Sequence, residues 1–427
     1  MAQAAARRVP RIDPGRLWAD LMALGELTEP GRPYTRRSFT PLFLQGRALI
    51  RDRLEKAGLS VRIDSAGNMI GRLEGAAPGL GVIAMGSHSD TVPSGGRFDG
   101  IAGVAVAIEI GRAIAEAGMR LRHPIEVIDC LAEEPSAFGL SCIGSRGMTS
   151  KLDEAMLAMT DADGRTLAGA LAEVGGDPAR VALARRDDLA AFLELHIEQG
   201  PVLEAEETDI GVVTAIVGIR RFEIEFAGEA AHAGTAPMHL RRDAAYAGAL
   251  TMTRIRARAE ELASAGGPYF VATVGIVEVW PGGSNVVPAR CRLVVDVRSS
   301  DRTVNDRFAD MLDRDSLAAA QAARVERTSL TMLSDGVPAL CDERLRGLIH
   351  DAARATGHSA IDIASGAGHD AAFMAAVCPS AMIFIPCLRG MSHTPDEYSS
   401  LEQVAAGAAV LLETVLRLDA ASACSEP

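Results

Sequence analysis

The chain has 427 residues, with 43 Lys+Arg against 56 Asp+Glu for a net charge of −13, and is 48% hydrophobic, 23% charged and 4% aromatic. At about 150 residues per domain this length points to two or three domains able to bury cores without disulfides, and the balance is that of an ordered globular protein. The acidic excess speaks against a nucleic-acid or anionic-membrane partner, and the few aromatics leave little to stack on single strands.

The N-terminus, MAQAAARRVPRIDPGRLWAD, has basic residues but no apolar stretch after them, unlike a secretory signal. No run of about 18 apolar residues suggests a membrane span. The seven cysteines (130, 142, 291, 341, 378, 387, 424) form an odd set without a CxxC pair. They read as reduced structural thiols in a cytoplasmic protein, so any metal must be held by His and carboxylates. Residues 81–87 (GVIAMGS) form a short apolar run, as a buried parallel strand should. Residues 101–117 follow with helical spacing and high alanine content, then strands at 124–131 and 189–197. This alternation predicts an α/β domain with a mostly parallel sheet.

The middle changes character. RFEIEF (221–226) alternates strictly, the mark of a sheet with one wet face. A helix over 241–264, strands over 269–280 and 290–297, a helix over 302–323 and a strand over 324–332 complete a βαββαβ order, matching a small ferredoxin-like α+β unit. The last hundred residues return to the first pattern, with a helix over 341–356, a strand over 380–386 and a closing helix over 399–418; residues 420–427 should fray. The expected organisation is a discontinuous catalytic domain, 1–213 and 332–427, with 214–331 inserted.

Ligands in α/β sheets bind at strand ends, and four polar clusters sit there. GSHSDTVPSGGRFDG (86–100) holds His88, Asp90 and Asp99; LAEEPSAFG (131–139) holds Glu133 and Glu134. LELHIEQGPVLE (193–204) holds His196, Glu198 and Gln199; GMSHTPDEY (390–398) holds His393. Three imidazoles and two carboxylates suit two divalent first-row cations with one carboxylate between them. Neighbouring Glu133 and Glu134 point in different directions, so one can bind metal while the other handles protons. His123, His239, His350 and His358 fall in helical or turn contexts and read as ordinary structural histidines.

These segments, with AHAGTAPM (231–238), SGAGHDA (365–371) and MSHTPDE (391–397), resemble the di-metal aminoacylase/carboxypeptidase superfamily. They are similar to its amidase branch, the hydantoinase/carbamoylase group, along about residues 12–418; His196 stands where peptidase members carry a carboxylate. The resemblance implies two divalent ions (Zn, Mn, Co or Ni) per subunit. His88 and His196 should hold one, Glu134 and His393 the other, with Asp99 bridging. Asp90 should hydrogen-bond the His88 imidazole, and Glu133 should be the general base. The inserted domain should serve as lid and homodimer interface, with His232 stabilising the oxyanion in the partner's site. Asn285 and Arg298 should hold the substrate carboxylate, and Gln199, Gly366 and His369 should line the pocket.

Where the family often has Gly-Ser-Arg-Phe after the Glu pair, this chain has Pro135, Ser136, Ala137 and Phe138. That bears on substrate identity, not on the ligand set. GAGHDA (366–371) fits the dinucleotide pattern G-x-G-x-x-A, but the strand–turn context of a βαβ unit and the later acid are not evident. The implied activity is hydrolysis of a linear C–N bond in a small anionic ureido or amide substrate. The best candidate is an N-carbamoyl L-amino or β-amino acid, giving the amino acid, ammonia and CO2. The rivals are allantoate, and an N-acyl amino acid or dipeptide. The intact ligand set argues against a non-enzymatic homologue.

Overall fold

The structure, a computed structural model, describes residues 9–421. Residues 1–8 and the tail beyond 421, including Cys424, lie outside that span, as does most of the expected frayed end. The six cysteines among the described residues are all free and buried.

The chain divides into two compact units, residues 1–214 with 341–363 and 369–427, and residues 215–340 with 364–368. The later junction falls beyond the expected 331/332 because the last strand of the insertion continues to Asp335. The short return of 364–368 to the second unit has no counterpart in the sequence reading.

The first unit opens with helices α1 (Pro14–Gly25) and α2 (Pro41–Lys56), which the sequence reading passed over. Each starts on a side-chain cap with proline at its first position: Asp13 accepts from Arg16 N, and Thr40 from Phe43 N. Strands β1 (Ser60–Ile63) and β2 (Met69–Leu73) follow, then β3 (Val82–His88), helix α3 (Ile101–Glu116) and β4 (Ile125–Cys130). Short helices α4 (Ile143–Met148), α5 (Glu154–Leu157) and α6 (Leu167–Glu173) lead to β5 (Leu189–Ile197), the short α7 (Val202–Ala205) and β6 (Ile210–Ile216). β3 and β4 are buried along their whole length, as continuous apolar runs require in a covered sheet.

The second unit holds β7 (Gly218–Ala227), β8 (Ala231–His232), α8 (Ala244–Ser264), β9 (Phe270–Trp280), β10 (Val286–Val287), β11 (Arg290–Ser299), α9 (Arg302–Ala323), β12 (Glu326–Asp335) and β13 (Ala339–Leu340). Its four-stranded sheet runs β12-β7-β11-β9 with every pair antiparallel, the ferredoxin-like order. Alternate residues of β7 (Phe222, Ile224, Phe226) and β11 (Cys291, Leu293, Val295, Val297) join Phe270 and Phe308 in one core with the apolar sides of α8 and α9.

The chain returns to the first unit with α10 (Glu343–Thr356), β14 (Ala360–Ser365), α11 (Asp370–Met374), β15 (Ser380–Ile385) and α12 (Leu401–Ala421). A strand does therefore precede GAGHDA, contrary to expectation. The motif is nonetheless divided, Gly366–Gly368 belonging to one unit and His369 onward to the other. The main sheet runs β1-β2-β4-β3-β5-β15-β6, with β14 pairing β6. Its central pairs, β4/β3, β3/β5 and β5/β15, are parallel; β1/β2, β2/β4 and β15/β6 are antiparallel. The four parallel strands end on one side, where the polar clusters begin.

Candidate metal centre

Each parallel strand delivers its cluster at its C-terminal end. β3 ends on His88, and the chain loops to Asp99 before α3 starts. Gly100 caps that helix at φ 65°, and a Cβ there would meet the His88 ring, so only glycine lets the loop close over the imidazole. Glu133 and Glu134 follow β4, His196 lies within the last residues of β5, and His393 follows β15. Three residues here take left-handed backbone angles: Ala132, Gln199 and His393, at φ 51°, 57° and 56°. Such local strain is a recurring property of sites held by their surroundings.

The donors form two groups that share Asp99: His88, Asp99 and His196, and Asp99, Glu134 and His393. Asp99 Oδ1 lies 3.0 Å from His196 Nε2 and 3.6 Å from His88 Nε2, while Oδ2 lies 3.1 Å from His393 Nε2. His393 Nε2 is 3.4 Å from Glu134 Oε1. His196 Nδ1 lies 2.9 Å from Ile197 O and His88 Nδ1 3.1 Å from Asp90 O. A neutral ring that donates from Nδ1 to a carbonyl keeps its lone pair on Nε2, the nitrogen facing Asp99.

Asp90 meets the His88 ring twice: its backbone carbonyl lies 3.1 Å from Nδ1 and its carboxylate Oδ1 3.5 Å, and that Oδ1 also accepts from Glu133 N at 3.2 Å. Asp90 thus also holds the backbone of the expected base.

The electrostatics call for positive charge. Burial raises the Glu133 carboxyl well above its usual range, and burial with the nearby Asp99 lifts Glu134 to about 7. Asp99 is also buried, but hydrogen bonds from His196, His393 and His88, whose rings carry a second proton in the absence of a cation, outweigh that and hold it well below the usual range. Burial and the neighbouring His196 keep His369 well below its ordinary value, as a neutral ring set edge-on to His196 at 4.6 Å. Buried carboxylates and Nε2 lone pairs converging on two points fit divalent cations.

Other expected site residues stand as follows. Gln199 donates to Asp99 Oδ2 (3.2 Å) and Ser392 Oγ (3.0 Å). Glu198 turns away and accepts from Val202 N and Leu203 N, each at 2.8 Å. In the second unit, His232 on β8 pairs with Val286 on β10, which places Asn285 beside it; Ala233 N donates to Asn285 O at 2.8 Å. Gly234 N donates to His232 Nδ1 at 3.1 Å, so a neutral ring carries its proton on Nε2. Arg298 donates through Nε to Asp296 (2.7 Å) and through Nη1 to Gly366 O (2.8 Å). Ala137 is exposed, while Phe138 is buried edge-on to Phe39. Among the set-aside histidines, His123 Nδ1 bonds Gly81 O (2.7 Å) and His350 pairs with Asp362 (2.9 Å).

The sequence reading missed several buried groups around the centre. Glu397 accepts from Phe98 N (2.8 Å), Asp99 N (3.0 Å) and Ser392 Oγ (2.8 Å). Glu194 accepts from Ser87 Oγ (2.7 Å) and Ala371 N (3.0 Å), and Cys142 Sγ lies 3.4 Å from Glu133 Oε1. Glu194 carried a usable signal, being a charged residue in a buried strand two positions from His196 and so on its face. Cys142 carried none.

An α/β unit with cation-competent groups at its strand ends and a buried acid beside them is an arrangement suited to metal-assisted hydrolysis. The chain belongs to peptidase family M20/M25/M40, a metal-dependent family whose model matches residues 84–417. It is 39% identical to an N-carbamoyl-L-amino acid amidohydrolase from Geobacillus stearothermophilus, covering 94% of this chain and 98% of that one. It is 36% identical to a ureidoglycolate hydrolase from Arabidopsis thaliana (91% and 83% covered). The crystal structure of an amidase of the hydantoinase/carbamoylase family from Burkholderia multivorans superposes with a TM-score of 0.89 at 35% identity, covering 96% of this chain and 98% of that one.

Proposed function

We propose that the protein is a cytoplasmic, homodimeric amidohydrolase that holds two divalent cations (Zn, Mn, Co or Ni) and removes the carbamoyl group of an N-carbamoyl L-amino or β-amino acid. The observation that carries this reading is the pair of donor groups sharing Asp99, with Glu133 buried beside them and 3.7 Å from His88 Nε2. His88 and His196 would hold one ion, Glu134 and His393 the other, and Asp99 both. When bound, the ions supply Lewis acidity to water and to the ureido carbonyl. Glu133 accepts the proton of the attacking water and returns it to the leaving nitrogen. His232, with its proton on Nε2, is suited to donate to the developing oxyanion. Arg298, oriented by Asp296 and Gly366 O, would take the substrate carboxylate, with Asn285 sharing that role. Gln199, Gly366 and His369 complete the pocket, and the inserted unit serves as lid and dimer surface. The products are the amino acid, ammonia and CO2.

The test is ammonia release by cation-loaded protein from N-carbamoyl amino acids, allantoate and ureidoglycolate, with release of the free amino acid measured for N-acyl amino acids, which yield no ammonia. Turnover of carbamoyl amino acids is expected. Glu133→Gln should keep its cations and lose about 10²–10⁴-fold in rate, the usual worth of a general base. Turnover of allantoate alone would transfer the assignment to allantoate hydrolysis, and no ammonia from any ureido compound with cations bound would defeat it.

A further inference from the structure

Glu397 is almost fully buried, 1% exposed, in the loop that presents His393, yet its carboxylate reaches back into the loop that presents Asp99. One oxygen accepts from two consecutive amides, Phe98 N and Asp99 N, and the other accepts from Ser392 Oγ. Ser392 in turn accepts from Gln199 Nε2, which also donates to the Asp99 carboxylate. The bridging candidate is thus held at its backbone by Glu397 and at its side chain by Gln199, with Ser392 joining the two. Space tells the same story: a Cβ on Gly96 would sit 1.7 Å from Glu397 Oε1, so the loop wraps the carboxylate too closely for any side chain there. An aromatic contact closes the assembly from outside the hydrogen bonds. Phe98 meets Tyr398 edge-on at 5.7 Å, and Trp18 of α1 packs on both rings.

We propose that Glu397 is a positioning residue that locks the Asp99 loop to the His393 loop and thereby sets how tightly the centre holds its cations. The inference rests on the cation-centre reading above, but not on the identity of the substrate. A carboxyl oxygen that accepts from two consecutive amides fixes the backbone direction, and groups that orient ligands are worth about 10–100-fold in metal affinity.

The experiment is competition for Zn(II) between the purified full chain and a chromophoric chelator. Circular dichroism and thermal melting of chelator-stripped protein serve as controls. Glu397→Ala should lose affinity by about 10–100-fold. Gly96→Ala, which displaces the carboxylate without removing it, should do the same. Glu397→Gln keeps an oxygen for the two amides and should fall nearer the wild type. Ser392→Ala, which removes the hydroxyl joining Glu397 to Gln199 but leaves Glu397 on the two amides, should lie between. Folded Glu397→Ala or Gly96→Ala protein with wild-type Zn(II) affinity overturns the proposal, as does a loss confined to the melting temperature of the stripped protein. If Glu397→Ala does not fold, Gly96→Ala and Ser392→Ala decide. Wild type that binds Zn(II) but releases no ammonia from any ureido compound would defeat the carbamoyl-hydrolase reading and leave this inference standing.

Discussion

A histidine holds a cation through one nitrogen and is aimed by the other. His88 and His196 are aimed by carbonyls, and both turn Nε2 toward Asp99. His393 is different: half exposed, it is aimed only by its loop, and the Asp99 hydrogen bond raises its pKa to about 9. Before a cation arrives, His393 therefore keeps a proton up to about pH 9, and Glu134, raised to about 7, keeps part of one near neutrality. Binding must expel them, together with the protons that the neighbouring acids hold on His88 and His196, so affinity should climb as pH rises from 7 through 9. Calorimetric Zn(II) titrations in buffers of different ionisation enthalpy should show net proton release in that window; binding without proton release would contradict the arrangement. The five donors could be singled out in the sequence because each is a charged or imidazole residue in a polar cluster that ends or follows an apolar run, Asp99 and His393 in the loops beyond β3 and β15. Glu397 was not, although it lies within the His393 segment. What marks it is three partners in two loops, which no spacing along the chain encodes.

At the scale of elements, the buried parallel strands and the alternating strands of the second unit announce themselves through composition and period. α3 begins where expected at Ile101, and β5 occupies the expected 189–197. What escaped notice was short or weakly patterned: β1 and β2, of four and five residues, and α2, whose apolar residues are mixed with Arg47, Arg51 and Arg53. α1 matters more than its sequence suggests, since Trp18 braces the two ligand loops from a segment upstream of the family match. In the second unit, Phe308 of α9 is 1% exposed and lies 5.0 Å from the Phe270 ring. Phe308→Ala should cost about 3–5 kcal/mol in that core. Thermal melting should show a destabilised transition, while Zn(II) stoichiometry, measured below it, should stay at the wild-type value because no donor belongs to that cluster. Unchanged melting would mean the α9 contact contributes little.

At the scale of the whole molecule, the proposed dimer makes a prediction of its own. If His232 serves the partner's centre, neither Glu133→Gln nor His232→Ala homodimers should turn over well. Heterodimers of the two, purified through distinct tags, should recover part of the wild-type rate, because one centre then has both an intact base and an intact histidine. Confirmed heterodimers without recovery would place His232 in its own subunit's site, and an active His232→Ala homodimer would place it outside catalysis. The charge of −13 does not help an anionic substrate approach. Attraction has to be local, from the cations and Arg298, so capture should depend little on ionic strength beyond the site.

The position of β15 in the sheet has a consequence for how the protein is made. Residues 380–385 sit between β5 and β6, so the strand completing the middle of the sheet leaves the ribosome after its neighbours on both sides. Until then β5, almost wholly apolar, presents an unpaired edge while some 180 further residues are added. Such an edge is a template for pairing with other chains. Synthesis speed and chaperone cover over that interval therefore bear on yield, and a chain that stops short of 380 keeps the open edge permanently.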